Sequence, residues 1–520
     1  MPLTLAHPGV YIQELEPDVR TIRGVPTSIT AFIGRARQGL VDDPVRIQGF
    51  GEFIRLFGGL WDQSPMSYAV SHFFVNGGGD ALIVRVHHES APGARDRATV
   101  DLPAEGGGAL QLEASSPGTW GQRLQVIVTH PATAGTAGLF HLTVQENNGQ
   151  TTEAVAEEKF LLLSLDPANP RFVTDVLAQQ SDLVRVVAPL PAGRPSVPVP
   201  PAPNPPNPFT GGNDGGAVTD GDVAGVNFRN DRRGLYALEN ADLFNLLCIP
   251  PFSDTDDVDA ATWDEAVAYA TERRAVVIVD PPLAWNSADD PVDATIGVSN
   301  FITPSPNAAL YFPRLRAADP LRENKLRDFA PSGAVAGVIA RTDASRGIWK
   351  APAGQEASLV GARELTVRLT DGQNGVLNPR AVNCLRIFPA MGRVVWGART
   401  TVGDDDRASQ WTYLPVRRTA LFIEESLYRG SQWVVFEPND EKLWGQIRLT
   451  LGSFMHGLFR QGAFQGVTPR QAYFVKCDAE TTTQADIDRG IVNIIVGFAP
   501  LKPAEFVVIQ IQQMTSQAEV

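Results

Sequence analysis

The chain has 520 residues, 43% of them hydrophobic, a size that implies three or four domains at roughly 150 residues each with enough apolar content for real cores. Its 58 acidic against 44 basic residues give a net charge of −14, which argues against nucleic acid or an anionic membrane surface as the main partner. Cys248, Cys384 and Cys477 are too scattered for a disulfide framework or a zinc site and fit folding in a reducing cytosol; no secretion signal is visible, and no apolar run approaches the ~18 residues of a membrane span.

In chain order, residues 1–22 read as an arm. Val10, Ile12 and Glu14 alternate with Tyr11, Gln13 and Leu15 between Pro8 and Pro17, a short strand with no core of its own. Such a strand needs a sheet edge, in the same chain or in a neighbour. Residues 23–90 open an α/β core: a buried strand at 30–34, a helix around Phe50, Phe53, Ile54 and Phe57, a second helix at 67–76 stopped by Gly77, Gly78 and Gly79, and a strand at 81–86. Residues 91–190 change character, with strands expected at 124–129, 140–145 and 160–164 between Gly, Pro and Asn turns, so they read as an inserted β-rich outer domain. Ten prolines between positions 189 and 208 mark residues 191–208 as a stiff extended linker from which the insert hangs off the body.

The core resumes over 209–375. A strand at 243–249, a helix at 263–274 and a strand at 275–279 make a β-α-β unit with a right-handed crossover, followed by a strand at 309–312 and an apolar segment at 334–340. Residues 376–502 form a further domain. It begins with apolar strand-like runs at 382–388 and 394–396 joined by a turn at 389–392, and Arg386, Arg393, Arg399, Arg417 and Arg418 supply cationic forks along what reads as a surface beside a solvated acidic run, Asp404, Asp405 and Asp406. Residues 439–461 are the strongest helix in the chain, with Leu443, Trp444, Ile447, Leu451, Met455 and Leu458 at helical spacing and Asn439 as the expected N-cap. Residues 503–520 read as a second arm, with a strand over 505–513 that sets Val507, Ile509 and Ile511 on one face. The fold expected is an α/β (α+β) core with mixed sheets, a β-rich inserted domain, and extended N- and C-terminal strand arms.

The chemistry-bearing residues offer little to an enzyme. The glycine run at 211–216 lacks the Lys-Ser or Lys-Thr that a phosphate loop needs, and reads as a turn. Asp280 ends a strand, where α/β enzymes gather ligands, but with two prolines after it and no histidine near it a turn cap is the better reading. His87 and His88 point to opposite faces of a strand and cannot share an ion. Arg417 and Arg418 against Glu424 and Glu425 make either internal or intersubunit pairs. No nucleophile motif, zinc motif or nucleotide loop occurs, so no catalytic, cofactor or metal residue is assigned, and an α/β enzyme centred on Asp280 and the glycine turn is the alternative.

Several strings in fixed order carry a resemblance. They are Pro8-Gly9-Val10-Tyr11, Thr30-Ala31-Phe32-Ile33-Gly34, Ala309-Leu310-Tyr311-Phe312-Pro313, Pro331-Ser332-Gly333-Ala334, Val395-Trp396-Gly397-Ala398-Arg399-Thr400, Trp433-Val434-Val435-Phe436-Glu437-Pro438-Asn439 and Gly497-Phe498-Ala499-Pro500. Together they make residues 1–90 and 209 onward resemble the contractile tail sheath proteins. The resemblance implies a homo-oligomer of stacked hexameric rings around an inner tube protein. It also implies baseplate and terminator or cap proteins as partners, no cofactor, no nucleic acid and no direct membrane insertion, with cytoplasmic assembly into a virion tail or a released contractile particle. It further implies that the arms complete sheets on adjacent subunits, through Val10, Tyr11, Ile12 and Glu14 at one end and Phe506, Val507, Val508, Ile509 and Ile511 at the other. Finally, it puts the helix carrying Lys442, Trp444, Arg448 and Arg460 against the tube.

Overall fold

The computed structural model describes residues 21–132, 136, 138–147, 154–198, 204–286, 297–298 and 301–510. The expected N-terminal arm residues Val10, Tyr11, Ile12 and Glu14, and Ile511 of the C-terminal arm, lie outside the described residues.

The body is built on one eight-stranded sheet. Its order runs Gly392–Val395, Val382–Phe388, Ala308–Phe312, Val276–Val279, Leu246–Cys248, Thr30–Gly34, Ala81–Arg85 and Val45–Ile47. The six inner strands pair in parallel and only the two edge strands pair antiparallel. Parallel strands must be covered on both faces, and these read as nearly unbroken apolar runs for that reason. Alternation then sorts the side chains: Ala31, Leu247, Val277 and Leu310 pack on one face, and Phe32, Leu246, Ile278 and Tyr311 on the other. The helix Ala260–Glu272 covers the first face, where Trp263 and Tyr269 are buried. The helices Phe50–Phe57, Pro65–Val75 and Ser332–Arg346 cover the second.

The apolar segment at 334–340 is the middle of the helix Ser332–Arg346. Gly333 and Gly337 lie one turn apart on the side that meets the helix Pro65–Val75, where an added Cβ would sit 2.1 Å from the Ala69 carbonyl oxygen and 2.4 Å from that of Phe73. Two glycines four apart let the backbones approach this closely, and any side chain there would force the helices apart.

The inserted region has its own core. A three-stranded sheet (Thr99–Pro103, Ala109–Ala114, Val184–Val187) faces a four-stranded one (Asn207–Pro208, Leu124–Thr129, Phe140–Asn147, Ala154–Leu163) across Leu112, Val126, Leu142 and Phe160. Of these the strands at 99–103, 109–114 and 184–187 are additional to the sequence expectation.

Two expectations about its attachment are corrected. The described residues of the proline-rich tract are not a free spacer: Glu105 N donates to Arg194 O (2.9 Å), Ser196 N to Pro103 O (2.7 Å), and Asn207–Pro208 joins the four-stranded sheet. Proline cannot donate, but the residues between the prolines can, and proline carbonyls still accept. Nor does the insert hang loosely. Arg85, only 2% exposed, donates to the carbonyls of Ala36 and Gly39 in the body and of Pro117 in the insert, and the Asp214 carboxylate receives the Thr119 N–H at 2.7 Å.

Beyond the sheet, the helix Leu414–Gly430 and the helix Glu441–Arg460 pack with a two-stranded antiparallel ribbon, Tyr473–Lys476 with Ile495–Phe498. The ribbon has no third strand among the described residues. Residues 501–510 then leave the body without entering any strand, so the strand expected at 505–513 is not formed by its described part.

Candidate functional site

The C-terminal segment leaves the body at an anchor centred on Glu505. The sheet delivers its partners: Val382–Phe388 ends the parallel series, Asn378 lies in the short turn before it, and Arg399 and Tyr413 follow the edge hairpin. Asn383, fully buried, sets the backbone by accepting the Arg399 N–H (2.7 Å) and donating to the carbonyls of Leu310 (3.1 Å) and Arg399 (2.8 Å). Arg399 then points its fork outward. Its Nε and Nη2 donate to the two Glu505 oxygens at 2.9 and 2.8 Å, and its Nη1 donates to Asp405 at 2.7 Å and to the Gly403 carbonyl at 2.9 Å. Asn378 Nδ2 (2.8 Å) and the Tyr413 hydroxyl (3.1 Å) complete the shell around Glu505.

The electrostatics of this anchor follow from its geometry. Burial pushes the Glu505 carboxyl up, but hydrogen bonds from Arg399, Asn378 and Tyr413 and the Arg399 charge outweigh it, leaving the group below its ordinary value. Burial likewise works against the Arg399 charge and is outweighed by Glu505 and Asp405, so the guanidinium is held more firmly protonated than usual. A bidentate, charge-assisted pair of this kind fixes direction as well as position. Directly beyond it, Phe506, Val507, Val508 and Ile509 are 74–83% exposed.

The arginines read as surface forks are mostly interior. Arg386, Arg399 and Arg418 are each at most 6% exposed. Arg418 pairs with the equally buried Asp343 at 2.6 Å and caps the Thr27 carbonyl, while Glu425 receives Arg274 at 2.9 Å and Arg429 at 2.6 Å, so these pairs are made within the chain. The acidic run is not simply solvated either, since Asp405 holds Arg399 and Asp404 holds Arg407 at 2.7 Å. A planar guanidinium with five donors can be satisfied indoors by carboxylates and carbonyls together, which a reading by residue type does not anticipate.

On the helix Glu441–Arg460, Lys442 and Arg460 are exposed and Arg448 is half-buried, donating to Glu441 at 2.6 Å. Trp444 is only 5% exposed, donates its indole N–H to Asn439 at 2.9 Å, and packs with Ile447 and Leu451, in keeping with its place on the apolar stripe. The N-cap is Asp440, whose carboxylate receives the Leu443 N–H at 2.8 Å, one residue later than expected.

The enzyme alternative finds no assembled site. Asp280 is 4% exposed and accepts from the Ser332 N–H (2.8 Å) and hydroxyl (2.6 Å), tying the start of the helix Ser332–Arg346 to the end of its strand; burial pushes its carboxyl up to about 6. The glycine turn engages other neighbours, Thr119 and Arg35, through Asp214. His87 faces Asp96 and His88 faces Asp222, each at 3.0 Å, on separate carboxylates. Among the described residues no group of His, Cys, Asp and Glu has the arrangement to hold a metal ion, and no helix is long and apolar enough to cross a membrane.

Residues 224–401 match the phage tail sheath protein central domain and residues 406–514 the phage tail sheath C-terminal domain, together more than half of the chain. The chain belongs to the contractile tail sheath family. A major tail sheath protein assigned to a prophage of Pseudomonas aeruginosa (strain UCBPP-PA14) is 24% identical over 291 residues, 54% of this chain and 69% of that one. The tail sheath protein of Burkholderia phage BcepMu is 29% identical over 264 residues, 48% of this chain and 53% of that one, so the match spans about half of its length. Among solved structures, the sheath complex of the extracellular contractile injection system PVC in its contracted state aligns over 98% of this chain and 99% of that one, with a TM-score of 0.57 at 22% identity. The baseplate of the anti-feeding prophage, AFP, includes a chain that aligns over 98% of this one and 100% of itself, with a TM-score of 0.55 at 21% identity. At such identities the likeness establishes the sheath fold. This sheath protein is thus a structural subunit of a contractile sheath, a component of a phage tail or related contractile particle.

The Glu505 anchor is what sequence reasoning missed in the sheath subunit. Glu505 and Arg399 are 106 residues apart, and nothing local marks them as partners.

Proposed function

We propose that copies of this chain polymerise as stacked hexameric rings around an inner tube, on a baseplate and under a terminator, in a metastable extended state. Contraction drives the tube into a target. The work then comes from packing rearrangement of rigid subunits and not from a nucleotide, so the protein has no enzymatic role and needs no cofactor.

One observation carries this reading: an apolar, exposed C-terminal segment, clamped at its base by Glu505, in a chain that also holds a ribbon with only two strands among the described residues. A two-stranded ribbon is marginal alone and gains by taking further strands. Phe474 and Ile495 on the ribbon are 55% and 49% exposed, the state expected of a sheet that a neighbour's arm completes. In this reading the N-terminal arm reaches a second neighbour. Backbone hydrogen bonds then hold the lattice while the connections bend, and the exposed cations Lys442 and Arg460 turn toward the tube.

The test is removal of residues 503–520 from the full chain, followed by negative-stain electron microscopy. A folded subunit unable to form long tubes is the expected outcome. Tubes of normal length from the truncated chain would refute the arm mechanism.

A further inference from the structure

The string from Trp433 to Asn439 is tied inward at its ends, where Trp433 and Val434 pack beside Trp444 and Ile447 and Asn439 accepts the Trp444 indole N–H, but the turn between them projects from the subunit. Residues 434–437 form a tight turn closed by the Glu437 N–H on the Val434 carbonyl at 3.2 Å. Val435 sits at φ −66 and ψ 130, and Phe436 at φ +70, the backbone of a type II turn. That turn calls for glycine at its third position, because a side chain there meets the backbone. Phenylalanine occupies it instead, and among the described residues its ring gains no contact in return: Phe436 is fully exposed, at 102%, beside Val435 at 59%. A strained backbone that presents a free aromatic ring is a feature whose compensation lies outside the chain.

A matching receptor exists elsewhere on the same surface. Beside the arm anchor lies a groove of about 660 Å³ with an aromatic floor of Trp349, Trp396 and Tyr413. Its rim carries Lys350 and Lys502, beside Arg346, which pairs with Glu356 at 2.7 Å, and Glu505, which is held by Arg399. Among the described residues neither Lys350 nor Lys502 is in an ion pair. The turn brings complementary charge, since Glu437 follows the knob and, like Asp440, makes no ion pair among the described residues. The turn cannot reach the groove of its own chain. Tyr413 of the groove precedes the helix Leu414–Gly430 and the turn follows it, and 17 residues of helix hold the two ends about 25 Å apart.

We propose that the Phe436 knob inserts into the Trp349–Trp396–Tyr413 groove of a neighbouring copy, with Glu437 against the partner's lysine rim. This deepens the homopolymeric reading above and rests on it. Knob and groove are different patches, so the contact is heterologous and propagates into rings or helices, unlike a self-limiting two-fold dimer.

The first test is Phe436→Gly in the full-length chain. Glycine relieves the turn, so the subunit's melting temperature should stay the same or rise, while the yield of sedimenting polymer falls at least tenfold. A lowered melting temperature would assign Phe436 to the subunit's own fold and overturn the contact. Ordinary polymer yield would overturn it too, while leaving the sheath reading intact. Lys502→Glu should likewise cut polymer yield and Glu437→Lys should restore it, whereas failure of that rescue counts against the charge pairing. Finally, a photo-crosslinking benzoylphenylalanine at position 436 should join one copy to residues 346–354 or 501–506 of another. Crosslinks to the tube, or to any other surface, would remove the proposed groove as its receptor.

Discussion

The body sheet and the C-terminal ribbon use strands for opposite ends. In the body, six parallel strands are sealed on both faces, and side chains such as Phe32, Leu247 and Leu310 have no exposure at all. In the ribbon, two strands carry half-exposed Phe474 and Ile495, and the adjoining segment projects apolar side chains into solvent. The core of the body is closed within the chain, whereas the C-terminal part leaves apolar surface open, which in the proposed reading a neighbouring copy covers. A subunit that survives a lattice rearrangement needs both: a part whose packing does not change and a part whose partners are external.

The sharpest way to break this contrast is the truncation of residues 503–520, because it separates folding from assembly. Tube formation should be lost altogether while the thermal transition of the subunit hardly moves. Arg399 keeps Asp405 and the Gly403 carbonyl when Glu505 is gone, so it is not left as a bare buried charge.

The converse experiment damages the body. Asp343→Ala strands Arg418, which is 3% exposed, with only the Thr27 carbonyl to hold its charge. Breaking such a pair costs about 3–5 kcal/mol, measurable as a drop in denaturant midpoint, and assembly should fail only in proportion to the unfolded fraction.

Glu505→Gln sharpens the boundary between the two regions. It removes the charge from the anchor while preserving its shape, and should weaken seating of the arm by about 1.5–3 kcal/mol, read as faster proteolysis after residue 500. The wild-type anchor should respond to pH in a defined direction. Its folded carboxyl lies below the ordinary value of 4.5, so its contribution is fully present above 4.5 and is lost as pH falls through the lower folded value. The glutamine variant should lack that dependence.

The smallest effect is expected at Asp440→Ala, which removes the cap of the helix Glu441–Arg460. About 1 kcal/mol of stability should be lost, seen by thermal denaturation, with tube formation retained at lower temperature.

How far these regions could be read in advance differs. The parallel strands at 30–34, 276–279 and 308–312 were legible because burial on both faces leaves unbroken apolar runs, and the helix at 441–460 because its stripe is narrow and regular. The helix Leu414–Gly430 was not, because Arg418 and Glu425 sit on its buried side and break the apolar period; their partners, Asp343 and Arg274, are 75 and 151 residues away in sequence. The stiff spacer and the hanging insert were misjudged for a related reason, since Arg85 and Asp214 make their contacts only after the chain has folded back.

By itself the sequence determined the α/β body, the β-rich insert and the family, since apolar periodicity and ordered motifs are properties of neighbouring residues. Tertiary structure alone decided which charges are interior, where the arm is clamped, and that Phe436 stands free on a turn suited to glycine. Those are pairings and exposures between distant parts of the chain, and local pattern carries no information about which carboxylate a buried guanidinium will meet or which ring will be left without a neighbour.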